Sequence, residues 1–256
     1  MNSHDELSTL DEYKAHHRPH KIAARLDEGP PSVYLKDFVY GAIDGAVTTF
    51  AIVAGVAGAG LSAGVIIILG FANLLADGFS MAVSNFLGTR AENQHREKTR
   101  QREFEEINEF PEGEAEEIRQ IYARKGFEGD LLEQIVEVIT SDDRTWVDTM
   151  IQEEHGMTLQ EHDAVRAGIS TFAAFVLVGL IPLVTYLTNW MAPNTIEEPF
   201  FWSCLLTAMA FFLVGAAKGK FVDQNRFSSG METVGVGGIA AIMSYAVGVL
   251  LKGLVG

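Results

Sequence analysis

Five apolar runs, each close to twenty residues long, leave this chain few ways to fold. They cover about 38–60, 61–87, 167–190, 200–217 and 234–255. A helix rises about 1.5 Å per residue, so ~20 residues match the ~30 Å hydrocarbon layer of a bilayer. Lipid offers backbone N–H and C=O groups no hydrogen bonds, and such runs satisfy them internally as helices. The expected fold is an all-α integral membrane protein with five transmembrane helices. A charge-free, glycine-rich stretch, Ala57 to Gly64, joins spans one and two as a tight hairpin. Trp190 and Trp202 flank the next short connection, where amphipathic rings favour the membrane interface. Pro182 predicts a kink in the third span. The fourth run is slightly short and makes a full crossing if it continues to Phe221.

Charge is segregated just as sharply. Residues 90–166 hold 21 of the 34 acidic and 10 of the 19 basic residues, which is −11 of the chain's −15. The chain therefore divides into a polar tail (1–32), spans one and two (33–89), an acidic insert (90–166) and spans three to five (167–256). The acidic balance excludes a nucleic-acid partner, whose phosphates need a basic footprint, and favours a cationic one. Cys204 is the only cysteine, so there is no disulfide framework. The polar start has no leader-like segment, and insertion is expected to rely on the internal spans. The tail carries His4, His16, His17 and His20 and ends in Gly29-Pro30-Pro31; it reads as solvated chain or a weak metal binder.

Basic residues set the expected topology. Lys36 precedes span one, and Arg90, Arg96, Lys98, Arg100 and Arg102 follow span two. Arg166 precedes span three, and Lys218, Lys220 and Arg226 follow span four. The hairpin at 57–64 and the loop at 191–199 contain no Lys or Arg. The positive-inside rule then puts the N-terminus and the insert in the cytosol and the C-terminus on the far side. Lys252 dissents and can snorkel from the last turn.

The insert reads as a small helical bundle. A helix over Arg90–Glu109 continues directly from span two, and Phe110-Pro111-Glu112-Gly113 ends it. Glu114–Lys125 forms a second helix capped by Gly126. Asp130–Thr140 forms a third, with Leu131, Ile135, Val138 and Ile139 on one stripe. Ser141 or Asp142 caps a fourth that runs to His155 and stops at Gly156.

Two constellations carry chemistry. In the membrane, Asp44 lies in span one, and Asn73, Asp77 and Met81 step by four along one face of span two, extended by Ser80 and Ser84. A carboxylate in hydrocarbon is costly unless paired, hydrated or protonated, so such acids mark function by default. The plainer alternative is that both acids only make interhelical hydrogen bonds near the interface. Carboxylate oxygen beside thioether sulfur suits a transition metal better than magnesium or calcium. In the insert, Glu103/Glu106 and Glu114/Glu117 repeat an i,i+3 spacing either side of the Pro/Gly turn, and a helical hairpin brings the pairs face to face. Met150 and Glu154, at i,i+4, sit where they can close that site. A solvated acidic face has the same spacing.

Two further patterns weigh less. Glu92-Asn93-Gln94-His95 matches one Glu-x-x-His element of di-iron bundles, which need two such elements and two more glutamates on long helices; a ferritin-like oxidase is rejected. Gly41/Gly45 and Ala54/Gly58 are small-xxx-small pairs, which allow close helix approach and offer a dimer seam.

The segments Asp44-Gly45-Ala46-Val47-Thr48-Thr49-Phe50 and Gly70-Phe71-Ala72-Asn73-Leu74-Leu75-Ala76-Asp77-Gly78-Phe79-Ser80-Met81-Ala82 resemble the first two spans of the vacuolar iron transporter family. The likeness extends from about residue 33 through the insert and the later spans. It implies a homodimer, not an enzyme, that exchanges Fe(II) for protons and moves the metal out of the cytosol. It implies ligands at Asp44 and Met81 along a dimer-interface pathway, and a metal-binding insert using Glu103, Glu106, Glu114, Glu117, Met150 and Glu154. Where plant members carry two adjacent methionines, this chain has Met150-Ile151. The expected partners are metal ions, protons, lipid and a second copy. No prosthetic group is expected; Fe(II), with Mn(II) and other divalent transition metals, is the cargo. The membrane is a prokaryotic plasma membrane or that of a vacuole-type organelle. The rival readings are a manganese exporter on the same scaffold and a membrane-anchored metal buffer or sensor, which has no need of Asp44 and Met81.

Overall fold

A computed structural model describes residues 13–15, 17–28 and 34–254. His4, His16 and the Gly29-Pro30-Pro31 stretch lie outside the described residues. In the tail, α1 (Pro19–Glu28) carries His20, and His17 Nδ1 donates to the Tyr13 carbonyl at 2.8 Å.

Helices are the only regular elements among the other described residues. α2 (Leu35–Ala59) is the first span and α3 (Ala63–Glu109) the second. α4 (Pro111–Arg124), α5 (Gly129–Thr140) and α6 (Asp143–Glu153) form the insert. α7 (Ala164–Gly179), a 3₁₀ turn (Ile181–Leu183) and α8 (Val184–Met191) make a broken third span. α9 (Pro199–Phe221) and α10 (Arg226–Leu251) complete the five membrane-spanning helices. Pro182 breaks the third span as its missing N–H requires. The fourth span does reach Phe221. The fifth begins at Arg226, a turn and more before the apolar run starts, because Asn225 caps it by accepting from the Phe227 and Ser228 N–H groups.

α2 is the hub: it packs against α3, α7, α9 and α10. Glycine makes this possible. A Cβ at Gly41 would sit 2.3 Å from the Thr171 carbonyl oxygen, and one at Gly45 the same distance from that of Phe175. The Gly41/Gly45 surface expected to serve as a dimer seam is thus covered by α7 of the same chain. Gly58 is spent likewise against the Tyr245 carbonyl of α10. A polar node ties spans one to three: Asn85 Nδ2 donates to Asp37 Oδ1 (2.9 Å) and to Thr171 Oγ1 (2.8 Å). At the opposite end from the insert, the α2–α3 hairpin turns at Gly60 (φ +73°), close to Lys252, and Phe200 stacks on Tyr245.

α3 is one unbroken helix of 47 residues, about 70 Å long. That is more than twice the hydrocarbon thickness, so its second half stands clear of the membrane and carries the insert. The insert has its own apolar core of Ile107, Ile118, Leu132, Val136, Ile139, Trp146, Val147, Met150 and Ile151. Two expectations fail here. Phe110 alone breaks the chain between α3 and α4; Pro111, Glu112 and Gly113 already form the first turn of α4, where proline's fixed φ and missing N–H are no handicap. On α5 the buried stripe is Leu132–Val136–Ile139, whereas Leu131 and Val138 are exposed. Apolar residues at 131, 132, 135, 136, 138 and 139 define two overlapping stripes, and packing against α4 and α6 selects one. Asp142 caps α6 through Thr145, and Gly126 and Gly156 take the positive φ that ends α4 and α6.

Candidate functional site

Within the membrane, Asp44 is half-buried on α2 and lines a groove of about 550 Å³ with Tyr40, Val47 and Val236. Two lysines line the same groove: Lys36 in the first turn of α2 and Lys218 in the last turn of α9. Lys218 Nζ lies 3.3 Å from Glu232 Oε2 of α10, a residue that the late start assigned to span five left out. Asp77 stands on α3, the helix that pairs with α2. Asn73 spans the same helix pair: its Nδ2 donates to Thr48 Oγ1 at 3.1 Å and weakly to Thr49 Oγ1, one turn beyond Asp44. Met81 is half-buried against the apolar core of the bundle. Asp77, Ser80 and Ser84 face outward from α3, uncovered by any other helix of this chain.

In the insert, the end of α3, the start of α4 and the end of α6 bring five glutamates together. Glu103 is 1% exposed and Glu114 is 7% exposed, and each has one buried carboxylate oxygen, Oε2, without a hydrogen-bond partner. Burial, and then the charges of Glu117, Glu103, Glu106 and Glu154, push the Glu114 carboxyl up to about 7. Burial and the charges of Glu154 and Glu106 likewise raise Glu117, against the opposing pull of His155 and Arg102. Glu116, on the far face of α4, is held low by Gln120 and Arg119. The i,i+3 pairs therefore do converge. Glu106 is already engaged, since Arg102 Nε and Nη2 both donate to its Oε1. Met150 is fully enclosed in the insert's apolar core, with Ile151 beside it.

Ion pairs hold this arrangement. Arg100 pairs with Asp148 at 2.6 Å and Lys125 pairs with Glu153, fixing α6 to α3 and α4. Arg119 joins Glu116 to Glu133 of α5. Arg96 donates to the Gln160 carbonyl and Asn93 to that of His162, which straps the returning segment along α3. Glu92 and His95 are exposed on α3.

His155, not singled out in the sequence, sits inside the cluster. Its Nε2 donates to Glu103 Oε1 at 2.8 Å and lies 3.5 Å from Glu154 Oε2. It follows the end of α6, where no helical period projects its direction; Gly156, which lets the chain turn back, is the one signal that pointed there.

The model of the VIT family matches residues 35–249. The chain is 36% identical over 232 residues to a protein of Toxoplasma gondii named vacuolar iron transporter, covering 88% of this chain and 76% of that one. It is 32% identical to vacuolar iron transporter 1 of Arabidopsis thaliana, covering 82% and 83%. It is 30% identical to the vacuolar iron transporter of Plasmodium berghei over 97% of this chain and 89% of the other.

Proposed function

The chain belongs to the VIT family, and from that premise we propose that it is a proton-coupled transporter of Fe(II) out of the cytosol. Relatives named as vacuolar iron transporters support iron as cargo. The observation that carries the reading is the pair of buried, unpartnered carboxylate oxygens on Glu103 and Glu114 in a cluster of five glutamates. Such oxygens cost about 1–3 kcal/mol or more each when left bare, and a divalent cation removes that cost. In this reading Glu103, Glu106, Glu114, Glu117 and Glu154, with Met150 alongside, collect the ion. Asp44, Asn73, Asp77 and Met81 carry it across, accepting Mn(II) and other divalent transition metals as well.

Asp77 on an uncovered face of α3 supports a homodimer, since an acid facing lipid is expensive and a second copy would cover it. The two intramembrane acids are the proton carriers. A membrane-anchored buffer would need neither. The insert and the N-terminus lie in the cytosol, in accord with the lysines and arginines at that end. Fe(II) uptake into proteoliposomes, with and without an imposed pH gradient, tests the whole reading. Uptake that accelerates when the receiving compartment is acidic is expected. A pure, folded protein that moves no Fe(II) under either condition overturns it.

A further inference from the structure

The insert's cation site holds a donor of a different kind from its carboxylates. Resting on the metal-site reading above, we propose that His155 is a direct nitrogen ligand of that site, together with Glu103 and Glu154, and tilts it toward Fe(II), Co(II) and Zn(II) over Mg(II) and Mn(II).

Geometry carries the argument. One donor atom from each of Glu103, Glu154 and His155 lies within 4.8 Å of the other two. Metal–nitrogen and metal–oxygen bonds of about 2.0–2.2 Å put two donors of one ion about 3–4 Å apart. The trio thus needs only a small closure, which the exposed Glu154 side chain makes by changing rotamer. Within the trio, Glu103 Oε1 accepts from His155, while its Oε2 is buried with no partner. That bare oxygen is an observation separate from the clustering of charge, and a bound cation would satisfy it.

The backbone holds His155 in place. At the end of α6 the His155 N–H donates to the Met150 carbonyl and the Met157 N–H to that of Ile151, around Gly156 at φ +64°. These bonds close the helix in a widened, π-type last turn, which fixes the direction of the residue just before the glycine. To ligate, the ring moves its proton from Nε2 to Nδ1, a tautomer change that leaves it neutral. Imidazole suits iron, zinc, copper and nickel, whereas all-oxygen shells suit magnesium and manganese.

The alternative role is positioning, in which His155 only donates a hydrogen bond to Glu103. A glutamine can supply that donor but not the imidazole nitrogen. The test uses the full chain in detergent, with His4, His16, His17 and His20 changed to Ala so that tail imidazoles do not contribute. Co(II) and Mn(II) affinities are measured calorimetrically for this background, for His155→Gln, for His155→Leu and for Glu103→Gln/Glu114→Gln. Pulsed EPR of a stoichiometric Cu(II) complex reports imidazole nitrogen.

Both His155 variants should bind Co(II) about tenfold or more weakly, Mn(II) should change less than about threefold, and the nitrogen signal should vanish. Wild-type-like Co(II) binding in either His155→Gln or His155→Leu overturns the proposal; recovery in His155→Gln alone assigns positioning. Equal losses for Co(II) and Mn(II) overturn it too. If Glu103→Gln/Glu114→Gln binds Co(II) as before, the failure lies in the metal-site reading beneath it. Circular dichroism melts of each variant confirm that the bundle is intact.

Discussion

Arg102 lays Nε and Nη2 on a single oxygen of Glu106, at 2.9 and 2.8 Å, at the edge of the glutamate cluster. The guanidinium is 69% exposed, so the pair itself contributes little to stability. Its effect falls on the cluster, where it occupies one carboxylate and opposes an incoming cation. Arg102→Gln should raise divalent-metal affinity by about 1.4- to fivefold, the range of an exposed charge pair of ~0.2–1 kcal/mol. Calorimetric titration with Co(II) checks this; unchanged or weaker binding removes Glu106 from the ligand set.

Protonation of the cluster should set a pH window for binding. The Glu114 carboxyl is pushed up to about 7 by burial and by its carboxylate neighbours, and metal must displace that proton. Affinity should therefore fall as pH drops from 7.5 to 5.5, and proton release should accompany binding near pH 7. In Glu114→Gln the pH dependence should flatten and shift to lower pH.

The same shift predicts the opposite trend for metal-free stability. Glu114 titrates higher folded than unfolded, so the folded state binds the extra proton. Its contribution is present below the ordinary value of 4.5 and is lost as pH rises through about 7. The metal-free insert should melt at lower temperature at pH 7.5 than at pH 5, and saturating metal should reverse the order. Thermal melts of the full chain in a Trp190→Phe/Trp202→Phe background, followed through Trp146 fluorescence, measure both; a metal-free Tm that rises with pH contradicts the assignment.

Glycine packing gives a contrast within the membrane. Gly45→Ala puts a methyl 2.3 Å from the Phe175 carbonyl oxygen and 2.8 Å from its Cα, both backbone atoms. It should cost about 1–3 kcal/mol by overpacking. Gly88→Ala meets nothing within 4 Å in the middle of α3 and should stabilise by about 0.5–1 kcal/mol through helix propensity. Detergent melts followed by size exclusion distinguish them.

Transport should fail at Asp44. Asp44→Asn keeps the size and polarity but removes the charge and the proton site, and Fe(II) flux in proteoliposomes should fall at least tenfold with the fold retained. In a Cys204→Ala background, cysteines at Ser62 and Thr195 should label from the non-cytosolic side and one at Glu128 only from the cytosol. Labelling of position 128 from outside would reverse the direction of transport.

The five spans were legible because length and hydropathy decide a membrane helix almost alone, and Pro182 and Phe221 behaved as their chemistry requires. The two glutamate pairs were legible because a helical hairpin must oppose them. What packing decides was not. Leu131 and Leu132 are equally apolar, and only the positions of α4 and α6 make the second the buried one. The glycines of α2 announced a close approach without naming the helix that makes it. Asp37, Asn85 and Thr171 lie near the ends of three different spans, and nothing local indicates that they meet. His155 lies past a helix end, where a cap rather than a period sets direction.

The unbroken α3 has a consequence for how an ion changes hands. Glu103 lies sixteen residues beyond Leu87 on one helix, about 24 Å past the end of the apolar run. In the proposed function, an ion released from the cluster has that distance to cross before it reaches the mouth of the pathway. One ion confined to a hemisphere of that radius is equivalent to ~50 mM, by the reasoning that sets effective concentrations for tethered ligands. On that proposal the insert would act as a local reservoir: each dissociation would briefly flood the pathway mouth, and a cluster that bound too tightly would starve it. The dissociation rate at Glu103 and Glu114, rather than their equilibrium affinity, becomes the quantity that matches collection to turnover.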